Sequence, residues 1–213
     1  MVVFSQACRI ATREEKPDAG HKIRPAARAL GFVMTSPSQS CDVLPSAPAG
    51  VVFNATQSFG GAQFIFAGED GTIAAWSSNT RTTIKVDNSA TAARYKALAI
   101  GNNGTADLLY ATNVSAGTVD VFTSSFAPAP MPSGAFTDPK MPPGYAPFGI
   151  QCIGGKIYVS FARQAEVVQD DTTGADRGFV DIFDTNGALL ERSMMRGVLN
   201  SPWGLALAPL LAV

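Results

Sequence analysis

The sequence predicts an all-β fold, a β-propeller built from four-stranded sheets. This fold is predicted by two short sequence motifs, called phrases here, which repeat along the chain at similar intervals. One begins with glycine and ends with an aromatic residue, at residues 71–76, 117–122 and 178–183. The other is an apolar run that starts at residues 50, 97, 149 and 204. These starts are 47, 52 and 55 residues apart, near the ~40–50 residues of a four-stranded propeller blade.

Each repeat is predicted to contain four strands in chain order. The apolar run is the first strand, and the glycine-to-aromatic phrase is the third. The second strand is predicted at 63–67, 108–112 and 156–161. The fourth, with a weaker pattern, is predicted at 82–86, 126–131 and 189–193. Short β-branched and aromatic runs bounded by Gly, Asn and Asp are typical of strands. A sandwich of short strands is the alternative, and the in-register repeat favours the propeller.

The chain divides into two regions. Residues 1–47 contain neither phrase and are rich in Arg, Lys, Pro and Ser, so we predict an irregular, poorly ordered leader. Residues 48–213 are predicted to form a partial propeller. The fourth apolar run begins just before the chain stops, so about three blades are expected of a six-bladed fold, against the 4–8 blades of known propellers. We expect a fragment of a longer protein, or an arc that self-associates through open edges.

Composition excludes several classes of partner. Charged residues make up 15% of the chain and the net charge is -1, so we expect no nucleic-acid partner. No run reaches the ~18 apolar residues of a membrane span. Arg9 and Arg13 interrupt the apolar start too early for a signal peptide.

Several stretches together carry a family resemblance. They include 50–54, 65–73, 117–122, 144–148 and 201–209. Residues 48–209 resemble an uncharacterised family of secreted bacterial β-propeller proteins often found beside PEP-CTERM sorting systems. The wider pattern is similar to NHL-type propellers, in which Pro-x-Gly-[Ile/Leu] opens the inner strand. The resemblance implies a propeller and an extracellular location, and it implies no catalytic residues. Because the chain has no signal peptide, cytoplasmic retention is the alternative.

Propeller connectivity predicts which residues face a ligand. In a propeller, the connections from the second to the third strand of a blade lie on one face. The connections from a fourth strand to the first strand of the next blade lie on the same face. The two longest of these connections are 131–147 and 162–177. Long loops on one face of a rigid scaffold commonly carry binding. The candidate ligand-binding residues on this face are Asp70, Asp87, Asn88, Asn113 and Tyr145. Asn and Asp at strand ends also serve turns, by bonding to local backbone, and this alternative is favoured.

Acidic residues raise the question of a metal. Asp170, Asp171 and Asp176 lie in the second long loop, but their spacing departs from the alternating pattern of a calcium loop. We therefore predict no cofactor and keep calcium as a weak alternative. Asp120 and Asp181 recur at one place in the third strand, which indicates a structural hydrogen-bonding role, since buried charges need partners.

The sequence supports a non-enzymatic binding module that presents a loop-rich face to a protein or small-molecule ligand. One alternative is a metal-dependent lactonase-like hydrolase using Asp70, Asp87, Asn88 and Asn113, with the cation as Lewis acid. Another is a truncated remnant without independent function. Nucleophilic catalysis has little support, because His21 is the one histidine and lies in the leader.

Overall fold

The computed structural model describes residues 47–78, 81–164, 178–194 and 199–208. These residues form eleven β-strands and no α-helix. The strands are β1 (Pro48–Phe53), β2 (Phe64–Gly68), β3 (Thr72–Trp76), β4 (Thr83–Asp87), β5 (Tyr95–Asn102), β6 (Asp107–Asn113), β7 (Thr118–Thr123), β8 (Tyr145–Ile153), β9 (Lys156–Arg163), β10 (Gly178–Phe183) and β11 (Leu189–Met194). The all-β prediction is confirmed. Apart from Ala47, the predicted leader lies outside the described residues.

Three antiparallel sheets follow one another along the chain. Sheet 1 has the order β1-β2-β3-β4, sheet 2 has the order β5-β6-β7, and sheet 3 runs from β8 to β11 in the same way. Within each sheet, strands that are adjacent in sequence therefore pair with each other. Among the described residues, no helix is long and apolar enough to cross a membrane.

The predicted fourth strand of the second repeat, 126–131, is wrong. The segment makes one isolated bridge to β7, between Phe122 and Pro128. Pro128, Pro130 and Pro132 lack the backbone N–H that a ladder needs, so proline in every second position stops the pairing. In the part of the chain that the structure describes, sheet 2 consequently has three strands, whereas its neighbours have four.

The predicted strand at 204–207 is also wrong, since none of its residues is assigned to a strand. The segment before it nevertheless packs against sheet 3. Ser160 donates a hydrogen bond of 2.5 Å from its Oγ to the carbonyl oxygen of Pro202. The ring of Trp203 lies 5.0 Å from that of Phe148, edge to face.

The middle sheet is covered on both faces. Leu109 of β6 belongs to an apolar cluster with Ile65 and Ile73 of sheet 1. The next residue, Tyr110, belongs to a cluster with Val159 and Phe183 of sheet 3. Successive strand residues point to opposite faces, so a strand covered on both sides must be apolar at nearly every position. This explains the unbroken apolar runs in the sequence.

Inner strands of neighbouring sheets approach closely. A Cβ atom added to Gly50 of β1 would lie 2.8 Å from the Cα of Ala97 of β5. Between sheets 2 and 3, the hydroxyl of Thr112 accepts a hydrogen bond from the Ala97 amide at 3.0 Å. It donates one to the carbonyl oxygen of Phe148 of β8 at 2.8 Å. In sheet 3, Ser160 similarly bonds the Gly149 amide at 2.8 Å. The glycines of the apolar run thus allow backbones to meet, and buried hydroxyls link them.

We predict that Gly50→Ala destabilises the protein by about 1–3 kcal/mol, because the added methyl group forces β1 away from β5. The measurement is urea unfolding followed by tryptophan fluorescence. Gly204→Ala is the matched control, since a Cβ there meets no atom within 4 Å. Equal stability of the two variants would contradict close contact between the inner strands.

Candidate functional site

The strand registers place four of the five predicted site residues at one end of sheets 1 and 2. Thr72, which follows the turn containing Asp70, pairs with Asp87. Tyr95, at the start of β5, pairs with Asn113, at the end of β6. We call this end of the sheets the polar end. Asn88 directly follows Asp87 and lies there too.

Asp70 and Asp87 bond within their own turns. Asp70 accepts hydrogen bonds from the amide and the hydroxyl of Thr72, at 3.1 and 2.7 Å. Asp87 accepts the same pair from Ser89, at 3.1 and 2.6 Å. The hydroxyl and amide of Ser89 hold the pKa of Asp87 below its ordinary value. Both carboxylates therefore have the turn role that the sequence favours.

Asn88 and Asn113 are linked by hydrogen bonds through Tyr95 and Asp120. The Asn88 amide donates to the Tyr95 hydroxyl at 2.7 Å, and that hydroxyl donates to Oδ2 of Asp120 at 3.0 Å. Asn113 donates to the same oxygen at 3.0 Å. Thr118 donates to Oδ1 at 2.9 Å. Asp120 thus has the structural hydrogen-bonding role expected of it, and it holds strands of sheet 2 together.

Tyr145, the first residue of β8, belongs to sheet 3. Its ring packs edge-on against Phe179 of β10, with 4.8 Å between the centroids. Tyr145 is therefore in a different sheet from the other four predicted residues, which lie in sheets 1 and 2 or closely follow their strands.

A buried cation lies at the polar end. Lys96 of β5 is 4% exposed, and its Nζ lies 2.9 Å from Oε1 of Glu69. The other oxygen of Glu69 contacts Arg94 at 2.7 Å. Burial opposes ionisation of Glu69, but the hydrogen bonds and charges of Lys96 and Arg94 outweigh it and lower its pKa. The ammonium group also lies 5.4 Å from the centre of the Phe148 ring. This cluster joins sheet 1 to sheet 2.

Sequence analysis missed Lys96, although a signal was present. It stands within the apolar segment 95–100, directly before the run that starts at 97. The residues directly before the other three runs are Ala49, Phe148 and Trp203. A lysine at an otherwise apolar position of an inner strand indicates a buried charge that requires a partner.

A second buried charged cluster lies in sheet 3. Asp181 of β10 is fully buried, and its register partner is Arg192 of β11. The guanidinium Nε of Arg192 is 3.6 Å from Oδ1 of Asp181. Arg192 also contacts Asp138, which lies in the long connector 131–147 between β7 and β8. Neither oxygen of Asp181 accepts a hydrogen bond from the described residues. Burial accordingly raises the pKa of Asp181 to about 6.

A cleft of about 570 Å³ lies beside β7. We call it the β7 cleft. It is lined by residues 118–122 of β7, by Asn88, and by connector residues between 128 and 137. Part of the long connector 131–147 therefore forms a wall of the cleft, next to the network of Asp120.

The wall is anchored in the core by Phe136. Its ring is buried 5.7 Å from that of Tyr110 and 5.3 Å from that of Phe183. Its amide donates to the carbonyl of Gly187 at 2.8 Å. The cleft is therefore formed by packed structure on both sides.

The metal prediction is not settled by these residues. In the described part of the chain, no three His, Cys, Asp or Glu side chains lie close enough to hold a metal ion. Asp170, Asp171 and Asp176 lie outside the described residues. The absence of a cofactor stays a prediction, and calcium stays its alternative.

We predict that Tyr95→Phe lowers the free energy of unfolding by about 1–2 kcal/mol, because it removes the hydroxyl between Asn88 and Asp120. Chemical denaturation would measure the loss. Tyr158→Phe is the matched control, because the Tyr158 hydroxyl bonds to no described residue. A Tyr95→Phe protein as stable as this control would show that the network contributes nothing.

We also predict a pH-dependent effect of Asp181→Asn. A pKa raised from 3.8 to about 6 means that the folded state binds this proton more tightly than the unfolded state does. The wild type therefore loses stability as the pH rises from about 4 to above 6, by up to about 3 kcal/mol, and the variant does not. The advantage of the variant should be largest at pH 7.5 and shrink towards pH 4. A constant difference would show that Arg192 keeps Asp181 ionised throughout.

Sequence comparisons find similar segments in proteins of one virus. No protein-family model matches it. An uncharacterized protein of Acanthamoeba polyphaga mimivirus is 36% identical over 107 residues, which is 48% of this chain and 26% of the viral protein. A second from the same virus is 32% identical over 54% of the chain and 30% of its own length, and a third is 29% identical over 68% and 28%. The matches thus span between a quarter and a third of these curated relatives. The chain is similar to uncharacterized mimivirus proteins over these segments.

Proposed function

We propose that this chain is part of a β-propeller that acts as a non-enzymatic binding module and takes up its ligand in the β7 cleft. The observation that carries the proposal is the position of the cleft. It lies beside the polar end, and the long connector predicted to bind forms one of its walls. Concave sites that are largely pre-formed are the usual place for ligands.

Repeated packing supports the propeller. Strand β5 packs against β1 on one side and against β8 on the other. The same kind of buried hydroxyl bond recurs, from Thr112 to Phe148 and from Ser160 to Pro202. Strands that pair in chain order within each sheet are what a blade requires. The resemblance to secreted bacterial propellers supports the same fold and an extracellular setting.

The contacts favour binding over hydrolysis. A lactonase-like site needs carboxylates and amides that converge on one cation. Asp70 and Asp87 instead accept bonds within separate turns. Asn88 and Asn113 donate into the Tyr95 and Asp120 network. These side chains are thus committed to holding the scaffold.

The proposal predicts where ligands bind. Fragment and peptide libraries would be screened by amide chemical-shift changes in the purified protein, and binders should perturb residues 118–121 and 131–137. Ala129→Trp fills the cleft and should abolish these changes. Ala127→Trp is the matched control, because Ala127 is exposed in the same segment and does not line the cleft.

Two outcomes would contradict the proposal. One is binding that maps elsewhere or survives Ala129→Trp. The other is turnover of lactone substrates when calcium is added, which would make the chain an enzyme.

A further inference from the structure

We propose that the β7 cleft binds a short extended peptide segment that pairs with the free edge of β7 and places an arginine against Asp120. This inference rests on the proposed binding function and adds the chemical class of the ligand.

The first argument is the backbone of β7. Its outer edge is occupied at one end, where Ala129 donates to the carbonyl of Val121 and Thr123 donates to that of Ala127, both at 2.8 Å. Alternate residues of a strand direct their N–H and C=O groups to the same side, so those of Val119 also face outward. No described residue bonds to them. An open strand edge of this kind is a template for another strand.

The second argument is that sheets 1 and 3 have a fourth strand beside the outer edge of the third strand. The strand β4 lies beside β3, and β11 lies beside β10. In sheet 2 the chain leaves β7 after Ala129, and the β7 cleft lies where pairing stops. Among the described residues, β4 and β11 are therefore two examples of the outer strand that sheet 2 lacks.

The third argument is charge. Asp120 and Asp181 correspond, because each lies two residues before the aromatic residue that closes its phrase. In sheet 3 the outer strand places Arg192 opposite Asp181. Continuing the pairing from the Phe122–Pro128 bridge would place Pro130, which has no charge, opposite Asp120. In the described part of the chain, Asp120 accepts three hydrogen bonds from neutral donors and contacts no cation.

The surroundings of the two carboxylates also correspond. Arg192 lies between Asp181 and Asp138, and Asp138 belongs to the connector from sheet 2 to sheet 3. Asn88, in the connector from sheet 1 to sheet 2, lines the β7 cleft together with Asp120. An arginine from an added strand would therefore lie between Asp120 and Asn88. Its planar guanidinium suits such a site better than lysine, because it offers several fixed donors and is weakly hydrated.

The probe is the blocked tetrapeptide Arg-Val-Thr-Val, with a second peptide that carries citrulline in place of arginine. Arginine comes first, so that antiparallel pairing places it opposite Asp120 and the following residues opposite Val119 and Thr118, clear of the edge that the segment 127–129 occupies. Citrulline keeps the shape and removes the charge. Calorimetry should show that the arginine peptide binds about 10-fold more tightly, the equivalent of ~1.4 kcal/mol. Asp120→Asn should remove this preference and leave the affinity for the citrulline peptide unchanged. Glu191→Gln, which removes an exposed carboxylate from β11, should keep the preference.

Hydrogen exchange tests the backbone pairing. The Val119 amide should exchange more slowly when the arginine peptide is bound. An N-methylated peptide, which cannot pair as a strand, should lose both binding and protection.

The results separate the two proposals. Cleft binding without an arginine preference, or without protection of Val119, overturns this inference and leaves the proposed function standing. Failure of the arginine peptide to bind the wild type at millimolar concentration also overturns it. Shift changes that map outside the cleft for every ligand overturn the proposed function as well.

Discussion

Coverage of sheet 2 on both faces is the constraint on which the rest of this structure depends. It requires inner strands that approach to backbone contact, as at Gly50 and Ala97, and apolar residues on both sides of β6. It also requires that polar atoms between the sheets be satisfied internally. The hydroxyl of Thr112 and the ion pair of Lys96 with Glu69 meet that requirement.

Asp120 and Asp181 show how one sequence position can be satisfied in two ways. In sheet 2 the carboxylate is held by neutral donors, among them Tyr95, whose pKa is raised by burial and by the nearby charge of Asp120. In sheet 3 the partner is Arg192, at 3.6 Å, and burial raises the pKa of Asp181. The difference follows from the outer strand, which the described residues supply to sheet 3 and not to sheet 2.

Much of the fold could be predicted because period and spacing are local properties. The Gly-to-aromatic phrase coincides with β3, β7 and β10, and the second strands lie within a few residues of prediction. Two predicted strands, at 126–131 and 204–207, are not formed, for different reasons. Alternate prolines stop pairing after Pro128, and no described residue pairs with 204–207. The site was less predictable, because the contacts of Lys96 and Arg192 join residues far apart in sequence. Strand connectivity predicts that Asp70 and Asp87 share one end of the sheets, as the structure has them, but it does not predict that their hydrogen bonds stay within their own turns.

Phe136 gives the connector a double role. The residues around it form a wall of the β7 cleft, and its own ring fills the core between sheets 2 and 3. A substitution of Phe136 would therefore alter both the wall and the core packing, so affinity and folding stability are coupled at this position. The exposed residues Pro132 and Thr137 line the cleft outside the core and are free of that restriction. Diversification of recognition should concentrate at such exposed wall residues, while the aromatic anchor stays fixed.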